Sequence, residues 1–100
     1  MVISHTTQDE KDILTPEGRI DTLTSPELEA AIQPLLAKDT IQLTIDFQGV
    51  SYISSAGLRV IVKAAQTAKA KGGEVQLMHL NESVAQVLEI TGFQSLFNIQ

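Results

Sequence analysis

Residues 41–47, IQLTIDF, alternate strictly: Ile41, Leu43, Ile45 and Phe47 fall on one face, Gln42, Thr44 and Asp46 on the other. A period of two is the mark of a strand with one buried face. The chain before it has a different rhythm. In SPELEAAIQPLLAK, residues Leu28, Ala31, Ile32, Leu35 and Leu36 recur at the i, i+3, i+4, i+7, i+8 spacing of a helix stripe. Ser25 can cap that helix, Pro26 suits its first position, and Glu27 and Glu29 favour the positive end of its dipole. Pro34 cannot donate to the carbonyl of Ala30, so a kink or a break is expected near Gln33. A second stripe, Leu58, Ile61, Val62, Ala65 and Ala68, marks a longer helix that starts at Ser54 or Ser55 and runs to Lys71, where Gly72-Gly73 stops it. A third, with Asn81 as cap, Val84, Val87 and Leu88 as its face and Gly92 as terminator, lies in NESVAQVLEITGF.

The remaining segments read as strands or turns. Residues 2–7 and the run ILTPEGRID suggest two short strands around the charged turn QDEKD, the second closed by a break at Pro16 and Gly18. EVQLMHL is a further strand, VSYI a brief apolar link after a Gln48-Gly49 turn, and the tail QSLFNIQ is expected to pack Leu96 and Phe97 down. The order β-β-α-β-α-β-α plus a short tail predicts one α/β domain over residues 1–100, a mixed central sheet with flanking helices and at least two parallel strand pairs. Such sheets carry their functional loops at the carboxyl ends of the parallel strands. The stretch SYISSAGL follows the clearest strand and opens the longest helix, so it belongs to that edge.

Composition narrows the chemistry. A formal net charge of −5 offers no basic footprint for nucleic acid or an anionic membrane, so neither is expected as a direct partner. The absence of cysteine removes disulfides and thiolate chemistry. MVISHTTQDEKD has no cationic start followed by an apolar core, and no apolar run approaches a spanning helix, so a cytoplasmic protein is expected. The sequence has neither GxxxxGK[ST] nor GxGxxG to cradle a nucleotide. His5 and His79 lie in separate strand-like segments, where surface or satisfied structural roles are expected; no metal site and no cofactor follow from them. SSAG is not GxSxG, and neither histidine is placed as its base, so the chain does not read as an enzyme.

What remains is a serine at a helix start. Capping explains one serine there. A modifiable or binding serine is the alternative, and Gly57 bears on the choice: a helix-interior glycine costs about 1 kcal/mol relative to alanine, which suggests that something approaches the backbone closely. On that reading Gly57 serves a partner surface, and Gly57→Ala is expected to leave stability equal or slightly higher.

Taken together, GRIDTLTSPELEAAI, LTIDFQGVSYISSAGLRVIV and KGGEVQLMHLNESVAQVLEITGF resemble the STAS family, in particular free-standing bacterial anti-sigma-factor antagonists. The resemblance implies a mixed sheet flanked by helices and a role in partner switching. The unphosphorylated antagonist captures an anti-sigma factor that is also a serine kinase; phosphorylation ends the capture and a metal-dependent serine phosphatase restores it. The family motif places an acid, then the phosphoacceptor, then a small residue, Gly and Leu. Laid on Ser54, Ser55, Ala56, Gly57 and Leu58, it makes Ser55 the acceptor, with Ser54 standing where the motif has its acid. Asp21 with Thr22 and Thr24 is implied to lie near the same edge and to join those five residues in binding the partner. Asp46 matches a further acidic position of the family, though a strand-end acid accounts for it as well. The same domain also occurs as an accessory subunit of lipid-transporting ABC complexes, which is the alternative role; a nucleotide-binding protein would be the enzymatic one.

Overall fold

All four apolar positions of the 41–47 alternation are buried, and they lie at the centre of the sheet. In the computed structural model, which describes residues 1–100, this segment forms β3 (Gln42–Asp46). It lies between β2 (Lys11–Ile20) and β5 (Glu74–Met78), parallel to both. β1 (Val2–Gln8) pairs antiparallel with β2 at one margin, through a two-residue turn in which Asp9 and Glu10 both take positive φ, as a hairpin of matching twist requires.

The link 49–53 is a full strand, β4 (Gly49–Ile53). It too runs parallel to β2, beside the half of β2 that β3 leaves uncovered: Asp12 to Leu14 pair with β3, Glu17 to Ile20 with β4. The expected break at Pro16 and Gly18 therefore does not occur. Pro16 falls at the changeover between the two partners, where its missing N–H forfeits no ladder bond on that side. Gly18, at φ +109°, takes up a shift of register before Arg19, so the strand bulges and continues. Periodicity could not separate VSYI from a linker because Ser51 and Tyr52 are exposed and only Val50 and Ile53 point inward.

Three helices connect the parallel strands. α1 (Ser25–Leu36) runs through Pro34 without a break, since Ala30, whose carbonyl loses its donor, is exposed and open to water. α2 (Ser55–Ala70) and α3 (Glu82–Thr91) follow β4 and β5. Each crossover steps in the same direction across the order β1-β2-β3-β5-β6, so right-handed connections put the helices on one face. That face holds the core: Leu14, Ile45, Val75 and Leu77 from the sheet meet Leu28, Ile32, Ile61, Ala65 and Leu88 from the helices. The opposite face carries the row Thr6, Ile13, Thr44, Gln76 and Asn98 in register, polar except for Ile13. The tail packs Phe97 down as expected, and it also contributes a 3₁₀ turn (Phe93–Leu96) and a sixth strand, β6 (Asn98–Ile99), parallel to β5.

One charged residue sits on the core side. Asp12, at the amino end of β2, is 3% exposed; it accepts hydrogen bonds from Lys38 Nζ (2.7 Å) and Thr7 Oγ1 (3.1 Å), and His5 Nε2 lies 2.9 Å away. Burial pushes its carboxyl up, and the bonds from Lys38, His5 and Thr7 outweigh that, leaving it below the ordinary value.

Candidate functional site

The carboxyl ends of β2 and β4 lie side by side, with Ile20 in register with Ile53, and the Ser54 N–H donates to the Ile20 carbonyl at 2.8 Å. This bond fixes the start of α2 against the segment that follows β2. The two serines then divide the work. Ser54 is the N-cap, in an extended conformation, its Oγ accepting from the Gly57 N–H at 3.2 Å. Ser55 is the first helical residue, exposed, and its hydroxyl is left free by the cap. A capping serine and an available serine are thus two different residues.

Across from Ser55 the chain leaves β2 through a tight acidic turn. Asp21 Oδ1 accepts from the amides of Leu23 (3.0 Å) and Thr24 (3.1 Å), while Thr24 Oγ1 accepts from the Asp21 amide (2.9 Å) and donates to the Arg19 carbonyl (2.7 Å). This reciprocal arrangement resembles a capping box, with acid and hydroxyl exchanged. Thr24, and not Ser25, is the N-cap of α1, and its hydroxyl serves the Asp21 turn rather than the helix. The Thr24 amide does most to hold the Asp21 carboxyl below its ordinary value; desolvation opposes it, and the Leu23 amide, the Thr24 hydroxyl and Arg19 add to the lowering. Asp21 is therefore an ionised, half-exposed carboxylate in a fixed orientation, and Thr22 beside it is exposed.

Two of the residues assigned to the partner surface are not on it. Gly57 and Leu58 are buried. A Cβ added at Gly57 would collide with Cγ2 of Ile20 and stand 3.0 Å from Ile53 Cγ1 and 3.1 Å from the Ile20 carbonyl oxygen. The close approach that the glycine permits is thus internal, α2 against the ends of β2 and β4. Gly57 and Leu58 shape the edge from beneath, while Ser54 and Ala56 are half-buried and Ser55 open.

The edge also holds residues to which the sequence drew no attention. The Arg19 guanidinium lies 4.3 Å from the Tyr52 ring centroid, in cation–π geometry. Leu23, at the tip of the acidic turn, is 86% exposed. The register Arg19↔Tyr52 could not be foreseen because it depends on the bulge at Gly18. Asp46 has the plain structural role: its Oδ1 accepts from the Gln48 amide at 2.9 Å and lies 2.8 Å from His79 Nδ1. His5 and His79 each pair with one aspartate, Asp12 and Asp46, in keeping with structural roles. No helix is long and apolar enough to cross a membrane.

Comparison with known proteins agrees with this geometry. The family model for the STAS domain matches residues 3–100. The anti-sigma-B factor antagonist of Listeria monocytogenes is 34% identical over 83 residues, 83% of this chain and 73% of that protein. Among solved structures, a candidate anti-sigma factor antagonist from Thermotoga maritima superposes with a TM-score of 0.88 at 22% identity, covering 97% of this chain and 84% of that one. The phosphorylated form of the Bacillus cell fate determinant SpoIIAA does so with a TM-score of 0.78 at 14% identity, covering 99% and 91%. With β2, β3, β4 and β5 parallel, a capped serine pair opening α2 and a match over almost its whole length, this chain belongs to the STAS domain family.

Proposed function

We propose that this protein is an anti-sigma-factor antagonist in a partner-switching system, binding an anti-sigma factor serine kinase while Ser55 is unphosphorylated and releasing it when Ser55 is phosphorylated; a metal-dependent serine phosphatase resets it. The observation that carries the proposal is the division of the serine pair, with Ser54 Oγ committed to the Gly57 amide and Ser55 exposed one residue on. The place of the family's acid is the N-cap, and serine caps as well as aspartate does. The substitution therefore keeps the structural task and removes one negative charge beside the acceptor. Asp21, Thr22, Ser54, Ser55 and Ala56 present the contact surface, Thr24 fixes the Asp21 turn, and Gly57 and Leu58 support it from within. The relatives named above as antagonists, and a fold neighbour known in a phosphorylated form, support the same reading.

A phosphate on Ser55 adds about −1.5 to −2 charge at the positive end of the α2 dipole, where anions are favoured. The domain stays folded, and the effect falls on the interface, where like-charge contact and desolvation cost several kcal/mol. A loss of about 4 kcal/mol carries a nanomolar complex to micromolar. The test is incubation with the purified anti-sigma factor kinase and ATP, peptide mass spectrometry, and calorimetric titration beside thermal melting. One phosphate on Ser55, an unchanged melting temperature within a few degrees and a roughly thousandfold weaker complex are expected. A phosphate on Ser51, Ser54 or Ser83 instead, or undiminished affinity, would refute the proposal.

A further inference from the structure

The amino-terminal halves of α1 and α2 enclose an open recess of about 220 Å³, lined on the α2 side from Ala56, the residue after Ser55, onward. Its wall carries Arg59 and Lys63, on successive turns of α2, with Glu29 of α1 as the one opposing carboxylate. Neither cation belongs to any of the protein's salt bridges. α2 opens there with no acidic residue in its first turn. Of its early amides, Gly57 donates to Ser54, whereas those of Ser55 and Ala56 are the orphan donors of a helix start, and Ala56 lines the recess. α1 contributes no free amide, because Ser25 donates to Asp21 and both Glu27 and Leu28 donate to Thr24. It contributes a hydroxyl instead. Ser25 is only 7% exposed, lines the recess, and makes no side-chain bond within the protein. Its oxygen nevertheless opens to solvent, since no polar side-chain atom of the protein is both buried and unpaired, so the hydroxyl is free to bond a group that enters the recess.

Two unpaired cations, an orphan amide and a hydroxyl with no bond inside the protein, on a mostly buried serine that lines the recess, thus converge on one concavity. Together they form the donor set of an oxyanion site. We propose that the recess between α1 and α2 is a phosphoryl-binding site, with Arg59, Lys63, Ser25 and the amino end of α2 as its donors. The phosphoryl group comes either from phosphorylated Ser55, which rests on the function proposed above, or from a free phosphate. Arg59 stands four residues after Ser55, on the same face of α2, the spacing at which an anion and a following cation meet on a helix.

The experiment has two arms. In the first, phosphoserine is incorporated at position 55 during synthesis, so that no kinase is needed, and its second ionisation is followed by phosphorus NMR in otherwise wild-type protein and in Arg59→Gln, Lys63→Gln and Ser25→Ala backgrounds. A site that grips the phosphate lowers this pKa from its usual value near 6 by about one unit, and Arg59→Gln returns most of the shift. In the second arm, inorganic phosphate is titrated into unmodified protein while amide signals of Ser55, Ala56 and Lys63 are recorded. Binding weakened at least threefold by Arg59→Gln and Lys63→Gln, with a normal phosphoserine pKa in the first arm, assigns the site to a free phosphate. A normal pKa together with phosphate shifts indifferent to all three substitutions overturns the proposal. Arg59 and Lys63 are exposed, so melting temperatures of their variants should match wild type and isolate binding from folding. Failure of the kinase to modify Ser55 would count against the proposed function and leave both arms valid.

Discussion

The two ends of β2 each carry an aspartate whose carboxyl lies below its ordinary pKa, by different means. Asp12, at the amino end, is buried and held by side chains from three places in the chain: His5 and Thr7 on β1 and Lys38 beyond α1. Asp21, just past the carboxyl end, is half-exposed and held by amides two and three residues ahead of it. The first ties distant elements together, so its loss is felt by the whole fold. The second arranges only its own turn, and so presents a carboxylate and Leu23 without committing the core. Equal pKa directions therefore say little about role; the sequence separation of the partners says more.

Removal of Asp12 should have the largest effect on stability. Asp12→Ala leaves Thr7 and His5 without an acceptor and Lys38 without its counter-charge, and it should cost about 2–3 kcal/mol, moderated because Lys38 can turn to water. For a domain of this size that is roughly a 10–20 °C fall in melting temperature by calorimetry. The same pair defines an acid dependence. A carboxyl whose folded pKa is depressed adds stability above its unfolded value, near the ordinary 3.8, and that contribution disappears as pH falls through the lower folded value. The stability gap between wild type and Asp12→Asn should accordingly be full above about pH 5 and shrink below 3.8; a constant gap would show that the charge of Asp12 is not what stabilises.

Next comes the floor of the other end. Gly57→Ala forces a methyl against Ile20 and Ile53, and overpacking of this kind costs about 1–3 kcal/mol. A fall of several degrees is expected, opposite in sign to what helix propensity alone suggests, and a melting temperature at or above wild type would mean that α2 can shift away from β2.

Smaller still is the cap. Ser54→Ala should cost about 1 kcal/mol, whereas Ser55→Ala should leave the melting temperature unchanged, bind the kinase, and resist release by ATP. Parallel melts decide whether the serines are divided as described, since equal losses would assign the cap to both. Asp21→Asn should move stability least, because the amide oxygen of asparagine can still accept from Leu23 and Thr24. Its effect should appear in kinase affinity; a thermal loss as large as that of Asp12→Ala would erase the contrast between the two ends.

Local pattern determined a good deal. The period-two run fixed β3 and its buried face, the three apolar stripes fixed the helices, and the small residues of SYISSAGL identified the start of α2 at the carboxyl edge of the parallel strands. Capping chemistry explained one serine at that start and left open which of the two caps, a point the structure decides for Ser54. Tertiary structure decided what depends on neighbours distant in sequence. Whether β2 breaks at Pro16 rests on where β3 hands over to β4, and whether VSYI is a strand rests on β2 offering it an open edge. Gly57 looked like a clearance for a partner because sequence shows only that a Cβ is absent; that Ile20, 37 positions earlier, fills the space follows from packing between α2 and β2. Asp12 and the recess of Ser25, Arg59 and Lys63 were illegible for the same reason, since each becomes a site only when segments that share no local pattern are brought into contact.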